Sequence, residues 1–173
     1  YKEVDARSPG LPEGEKRRIA GMVGHGAVKY ALLSVDPMKT VVFDWDRVLD
    51  FERNSAPFIQ YSHARACSIL RRAGDRPEPD YGLLRDLKER ELVHFIACFP
   101  EVFQEAVEAL SPQAIASYAN QLADKFNSFY ASHPVLRAEP EGLAGARLML
   151  VDAVRIVLRN ALSVLGIEAP ERM

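Results

Sequence analysis

A chain of 173 residues can bury a sizeable core, and its length fits one domain or one domain with an extension. Hydrophobic residues make up 48% and charged residues 27%, a composition that excludes an intrinsically disordered chain. The net charge of −2 excludes a general attraction to polyanions, so any nucleic-acid binding must come from a local patch.

Compartment and membrane signals are few. Cys67 and Cys98 are the only cysteines, too few for a disulfide framework, and they predict a reducing compartment such as the cytoplasm. No apolar run approaches the roughly 20 residues of a membrane span, and no signal peptide opens the chain. Because it starts at Tyr1 without an initiator Met, we expect a piece of a longer protein or a processed product.

The N-terminal third reads as a connection. Residues 1–14 are rich in Pro, Gly and charge and predict a tail or linker. A helix is predicted over Glu15–Leu33, and its Gly24-His25-Gly26 step favours close packing of a neighbour over phosphate binding. Thr40–Phe43 predicts one short strand, and Asp44 then resembles the N-cap of a helical turn to about Phe51.

The next helix is predicted to start near Pro57, with Asn54 or Ser55 as its cap, and to end at about Ala73. The positions expected to face the core are Ile59, Ala66, Leu70 and Ala73. The positions on another face are Tyr61, Arg65, Ser68 and Arg72.

That second face has two interpretations. An aromatic ring between guanidinium groups can stack on an unpaired base and pair with phosphate, which indicates single-stranded RNA as a partner. The same pattern is also typical of an amphipathic helix whose polar face is only solvated.

Further helices are predicted over 82–98, 101–110 and 143–165, and one follows the Ser111-Pro112 cap signal. The bundle seam on that helix is predicted to be Ile115, Ala119, Leu122, Phe126 and Phe129. Gly166 suits the C′ position of the last helix, and 167–173 reads as a short tail. The fold class predicted is all-α: a bundle of about five helices over 53–173, preceded by a helix and one short strand in a connecting region over 1–52.

Two His/Cys pairs, His63 with Cys67 and His94 with Cys98, each lie at i, i+4 and could form a zinc site if they faced one another. Half-buried packing is the alternative for each pair. The chain has no serine elbow, P-loop or dinucleotide fingerprint, so we predict no catalytic residue, no metal and no cofactor within it.

Two other places offer RNA contacts. Asn127 and Tyr130 in FNSFY lie at i, i+3 and combine an amide that can read a base edge with a ring and a hydroxyl. Met173 supplies an adaptable apolar side chain. The alternatives are core packing for FNSFY and a frayed terminus for Met173.

Four segments in order carry a family resemblance, from about Glu15 to Met173: GAVKYALLS, FDWDRVLDFERNSAPFIQYSHARACSILRRAG, LADKFNSFYASHPV and LGIEAPERM. The chain resembles the C-terminal part of arginyl-tRNA synthetase, a class I aminoacyl-tRNA synthetase. His25 departs from the aliphatic residue usual in the first segment, a difference without an assigned role.

The resemblance implies an α-helical anticodon-binding domain that recognises the anticodon arm of arginine tRNA. It implies a parent arginine–tRNA ligase that uses ATP with Mg, and arginine and ATP bind its catalytic part. The chain has neither a HIGH-like nor a KMSK-like signature, so it should be inactive alone. We expect a cytoplasmic monomer, with a helical protein-interaction module as the alternative function.

The resemblance also implies the tRNA contacts, residue by residue. The anticodon-loop contacts would come from Phe58, Tyr61 and Arg65, with Arg72 on the same helix. Phe58 stands where relatives often carry Tyr, which leaves it only a stacking role. Tyr130 and Met173 resemble a pair that helps enclose an anticodon base, and Asn127 matches a characteristic position of the same motif.

Overall fold

The computed structural model describes all residues from 1 to 173, and every regular element in it is helical. The elements in chain order are α1 (Lys2–Arg7), α2 (Glu13–Leu33), α3 (Trp45–Val48), α4 (Ala56–Arg72), a 3-10 helix (Tyr81–Leu83), α5 (Leu87–Ala97), α6 (Phe99–Glu108), α7 (Pro112–Ser132) and α8 (Glu141–Val164). The predicted all-α fold is confirmed, with α4 to α8 forming the bundle. None of these helices has the length and hydropathy needed to span a bilayer.

Helix α7 lies at the centre of the bundle and packs against α4, α5, α6 and α8. Its predicted seam is confirmed, because all five positions from Ile115 to Phe129 are buried in one large core cluster. Helix α8 contributes the opposite wall through Val151, Val154 and Leu158. Burial of these continuous apolar faces holds the helices together, since isolated helices of this length are marginal in water.

Helix caps explain where the elements begin. The Asp44 carboxylate accepts from the backbone N–H groups of Asp46 and Arg47, which confirms the predicted cap of α3. Ser55 caps α4, because its Oγ accepts from the Phe58 N–H at 3.1 Å. Each bond satisfies a backbone donor that the first helical turn cannot pair.

The predicted strand Thr40–Phe43 is wrong. These residues form no regular element, and their backbone makes no hydrogen bond to another backbone group. Val42 is 77% exposed. A β-branched run becomes a strand only when a neighbouring strand supplies a ladder, and this all-helical chain has none.

The predicted N-terminal tail is also wrong over part of its length. Lys2–Arg7 form α1, and Val4 is buried against Ile19, Val23 and Phe51 in a small second cluster. One apolar side chain in a charged segment is too weak a signal for sequence analysis. The predicted domain boundary at residues 52 and 53 stays a prediction.

The single helix predicted from Gly82 to Cys98 is divided. Tyr81–Leu83 form a 3-10 turn, and α5 begins only after Asp86. Asp86 and Glu89 form a reciprocal capping box, which starts a new helix at that point. The Glu89 carboxylate also pairs with Arg147 Nε at 2.7 Å, so this buried ion pair fixes α5 against α8.

Candidate nucleic-acid interface

Helix α4 carries the predicted polar face on a firmly buried support. Ile59 and Ala66, on its core side, have no exposed surface. On another side, Tyr61 and Arg65 are half-buried and Arg72 is exposed. The helix is therefore held by its apolar side while its aromatic and cationic side chains reach the surface.

This face opens into a cavity of about 390 Å³. Its walls come from α4, the end of α7, the connection after α1 and the C-terminal tail. The lining residues are Ser8, Leu11, Tyr61, Ala64, Arg65, Ser68, Ile69, Arg71, Arg72, Tyr130, Arg172 and Met173. Five of the seven predicted contact residues are thus brought together in one place. We call this cavity the arginine pocket.

Arg65 lies between the two tyrosines of the arginine pocket. Its guanidinium carbon is 4.9 Å from the centroid of the Tyr61 ring and 5.6 Å from that of Tyr130. A planar cation over an aromatic face is attracted by the ring quadrupole, so the three groups stabilise one another. Tyr130 remains 39% exposed, which leaves its ring available to a ligand.

Asn127 does not line the cavity, and its side chain instead holds Arg65. The Arg65 Nη1 donates to Asn127 Oδ1 at 2.5 Å, and Asn127 Nδ2 donates to Ser62 Oγ at 2.9 Å. Ser62 Oγ in turn donates to the Phe58 carbonyl at 2.9 Å. This chain of bonds fixes the Arg65 guanidinium before any ligand arrives.

Phe58 lies apart from the other predicted contacts. Only 5% of its surface is exposed, and its ring belongs to the main core cluster. A ring in that position cannot stack on a base without leaving the core. Its position one turn before Ser62 gives it a packing role under the arginine pocket.

The charge in the arginine pocket is strongly one-sided. Four guanidinium groups line it: Arg65, Arg71, Arg72 and Arg172. None of them forms a salt bridge with a carboxylate, and no Asp or Glu side chain lines the cavity. Unpaired guanidinium groups in a concave surface attract an anion such as phosphate.

A second cavity of about 680 Å³ adjoins the first and shares Ile69, Arg72 and Tyr130 with it. Its far wall is the segment after α7, from Ala131 to Arg137. Tyr130 and Arg72 therefore lie between two neighbouring depressions. An extended ligand with alternating flat and anionic groups fits such a groove better than a small compact molecule.

Some residues that line this site were not predicted as contacts. Arg71 and Arg172 flank predicted residues, and their charge was a signal that could have included them. Ser8 and Leu11 lie in the segment predicted to be a tail, and no sequence signal placed them beside α4.

The two His/Cys pairs do not come together as a zinc site. The structure contains no group of three or more His, Cys, Asp or Glu side chains placed to hold a metal ion. Cys67 Sγ lies 3.8 Å from His63 Nε2 within the core, and Cys98 Sγ lies 3.8 Å from His94 Nε2 on the exposed side of α5. Burial raises the pKa of the Cys67 thiol, which suits a packing role.

Comparison with known proteins agrees with this geometry. The family model of the DALR anticodon binding domain matches residues 59–173. The chain is 50% identical to the arginine–tRNA ligase of Pyrococcus abyssi over 98% of its own length and 28% of that protein. It is also 50% identical to the arginine–tRNA ligase of Methanothrix thermoacetophila, over its whole length and 31% of that protein. The chain thus spans less than a third of the length of these curated relatives.

Solved structures show the same relation. The chain superposes on the arginyl-tRNA synthetase of Thermus thermophilus with a TM-score of 0.93 and 37% identity, covering 99% of this chain and 30% of that one. It superposes on the Plasmodium falciparum arginyl-tRNA synthetase with a TM-score of 0.82 at 20% identity, over 99% of this chain and 30% of that one, a likeness of fold alone.

Proposed function

The chain belongs to the DALR anticodon binding domain family, and we propose that it binds the anticodon arm of arginine tRNA as the C-terminal part of an arginine–tRNA ligase. The observation that carries this proposal is the arginine pocket. It joins two tyrosine rings, four guanidinium groups without a carboxylate partner and Met173 in one concave surface. Those are the groups that unstacked bases and a phosphate backbone require.

The tyrosines would supply most of the base affinity. An anticodon loop presents bases that are not held in a duplex, and Tyr130 offers a partly exposed ring at the mouth of the cavity. Tyr61 forms the inner wall with Arg65 stacked against it. Stacking of a base on such a ring contributes about 1–3 kcal/mol.

The arginines would hold the backbone and orient one base. Arg72 and Arg172 have no hydrogen-bond partner and are free to pair with phosphate oxygens, which would fix the register of the strand. Arg71 donates one N–H to the Glu171 carbonyl and keeps its other N–H groups for the same purpose. Arg65 differs because Asn127 already holds it, so its remaining N–H donors point in a fixed direction. A preorganised donor of this kind favours recognition of a base edge.

The chemistry of the parent enzyme would take place outside this chain. Arginine, ATP and Mg²⁺ would bind the catalytic part, and arginine would be esterified to the tRNA 3′ end there. We expect no arginyl-tRNA from this chain alone in an aminoacylation assay with arginine, ATP and tRNA. We also propose that the protein is cytoplasmic and monomeric. Light scattering on the purified chain tests the monomeric state.

The contact surface is tested by titrating arginine tRNA at low salt. Tyr61→Ala and Tyr130→Ala should each weaken binding about 5- to 150-fold, because each removes one stacking surface. Tyr81→Ala is the matched control, since Tyr81 is exposed on the 3-10 helix and lies outside both cavities. Unchanged affinity in both pocket variants would contradict the proposal. If the chain instead binds a protein partner tightly, and that binding depends little on salt, the result would favour a helical protein-interaction module.

A further inference from the structure

The C-terminal tail, residues 166–173, is held by side chains rather than by regular structure. Lys29 of α2 donates to the Gly166 carbonyl, and Gln60 Nε2 of α4 donates to the Glu168 carbonyl at 2.8 Å. Ile167 and Pro170 are buried, so apolar packing supports the same path. A terminal segment with so many attachments is not a frayed end.

After Gln60, two further residues of α4 hold the tail. His63 Nδ1 lies 3.0 Å from the Pro170 carbonyl oxygen, and Arg71 Nη1 donates to the Glu171 carbonyl at 3.0 Å. Because a carbonyl oxygen can only accept, His63 carries a proton on Nδ1, whether its imidazole is neutral or charged. Gln60, His63 and Arg71 lie at i, i+3 and i+11, which places them on one stripe of the helix.

This stripe is adjacent to the one that lines the arginine pocket. The pocket stripe runs through Tyr61, Arg65 and Arg72, one position further along the chain at each end. One stripe of α4 therefore holds the tail and the neighbouring stripe faces the cavity, while Arg71 contacts both. Because both are on a single rigid helix, the tail and the cavity keep a fixed relation.

Gln60 and His63, the first two residues of this stripe, are unusually well buried for polar side chains. Gln60 has no exposed surface and His63 has 1%. Gln60 Nε2 also donates to the Met22 carbonyl at 3.3 Å, so its amide joins α2, α4 and the tail. Release of the tail would take the Glu168 carbonyl away from the buried Gln60 amide, and the loss of that partner favours the bound tail.

The attachment of the tail brings Met173 to the arginine pocket. Its side chain packs against the small cluster of Val4, Ile19, Val23 and Phe51, beside Tyr61, and it lines the arginine pocket. Nothing after Glu171 makes a side-chain hydrogen bond to the bundle, so Met173 is held by its own apolar contacts and by the bonds that place the tail before it.

We infer that Gln60, His63 and Arg71 are positioning residues for RNA recognition: they clamp the C-terminal tail so that Met173 closes one side of the arginine pocket. This inference rests on the proposed function. None of the three needs to touch RNA for this role. Loss of the clamp should act on binding as loss of Met173 does.

The first measurement needs no RNA. With carbon-13 in the methionine methyl groups, the chain should show four signals, and deletion of Met173 identifies its own. Gln60→Glu replaces a donor by an acceptor that faces two carbonyls. In this variant and in His63→Ala, the Met173 signal should move to the position that it has in an unfolded chain. An unmoved Met173 signal in both variants would overturn the clamp.

The second measurement is the affinity for arginine tRNA at a temperature where every variant is fully folded. His63→Ala should lower the affinity about tenfold, to the level of the Met173 deletion, and the double variant should be no weaker. His63→Asn, whose amide can donate to the Pro170 carbonyl, should restore binding. Additive losses, or no rescue by Asn, would give these residues a role other than positioning.

Tyr61→Ala separates the two proposals. If Tyr61→Ala and Tyr130→Ala weaken binding while the clamp variants do not, the clamp fails and the proposed function stands. If neither tyrosine variant weakens binding, the proposed function fails, and the methyl signal still decides whether the clamp positions the tail.

Discussion

Arg65 illustrates what a single side chain gains from its surroundings. In isolation an arginine on a helix face is a mobile cation. Here Asn127 accepts from one guanidinium nitrogen and two tyrosine rings lie within 6 Å of the guanidinium carbon. Such contacts remove rotamer freedom before binding, and that lowers the entropy lost when a ligand arrives.

His63 has the opposite character, because its environment opposes charge. Burial lowers the pKa of His63 from the ordinary value of 6.5. The hydrogen bond to the Pro170 carbonyl has a smaller effect, which raises the pKa. Among the nearby charged groups, Arg155 and Arg159 lower the pKa and Glu171 raises it. Cys67 is the other titratable neighbour, and burial keeps its thiol protonated.

We therefore predict that His63 makes folding sensitive to acid. Below about pH 6.5 the unfolded chain takes up a proton at this residue before the folded chain does, since the folded pKa is lower. Its contribution to stability is complete above pH 6.5 and is lost as the pH falls through the folded pKa.

Chemical denaturation at a series of pH values checks this prediction. His63→Asn cannot titrate and should lose stability less steeply than the unmodified chain below pH 6.5. Parallel curves for the two proteins would show that His63 does not contribute.

At the scale of elements, helix α4 divides its surface among three tasks. One side is core, a second holds the tail, and a third lines the arginine pocket. A helix can do this because side chains three and four residues apart share a face while adjacent residues do not. The cap at Ser55 and the packed core side keep these faces in register.

Helix α2 reaches α4 and the tail through a glycine. A Cβ on Gly26 would lie 3.0 Å from both Gln60 Nε2 and Ile167 Cγ2. Close packing was predicted for both glycines of this segment. It is confirmed at Gly26 and wrong at Gly24, where an added Cβ would have nothing within 4 Å.

The two glycines form a matched pair for mutation. Gly24→Ala should raise the free energy of unfolding by about 0.5–1 kcal/mol, the gain in helix propensity. Gly26→Ala should instead lower it by about 1–2 kcal/mol, because the crowding penalty exceeds that gain.

Thermal or urea unfolding of the two variants measures the difference directly. Gly26→Ala should also disturb the Met173 methyl signal, while Gly24→Ala should leave it in place. Equal stabilisation by both substitutions would mean that the tail does not approach α2 as closely as described.

The whole molecule carries 24 acidic and 22 basic side chains, so its overall field does not attract RNA. The arginine pocket departs from this average, with four guanidinium groups and no acidic side chain in its walls. A short-ranged patch of this kind acts within about 10 Å at ordinary salt, so recognition begins only when the RNA is close.

Salt dependence of RNA binding tests this picture. With three or four phosphate contacts, the logarithm of the binding constant should fall with a slope of about −2 to −3 against the logarithm of salt concentration. Arg72→Ala should reduce the magnitude of the slope by about 0.7.

Arg90→Ala is the matched control, since Arg90 is exposed on α5 and lies outside both cavities. It should leave the slope unchanged. A similar change in both variants would place the phosphate contacts elsewhere on the surface.

Local pattern was enough to establish a large part of this protein from its sequence. Apolar spacing located the seam of α7 and the core side of α4, and Asp44 and Ser55 marked helix starts, because periodicity and capping depend on residues within one or two turns. The motifs shared with arginyl-tRNA synthetases indicated the family, which the match over residues 59–173 confirms.

Tertiary contacts decided what local pattern could not. The run Thr40–Phe43 has strand-like residues but no strand beside it, and residues 2–7 fold because Val4 finds a distant cluster. Phe58 shares a helix with Tyr61, yet one is core and the other lines the cavity. The tail is ordered by donors 100 or more residues away in sequence. The physical reason is common to all four: each outcome depends on contacts between segments far apart in the chain, and a local pattern carries no information about which segments will meet.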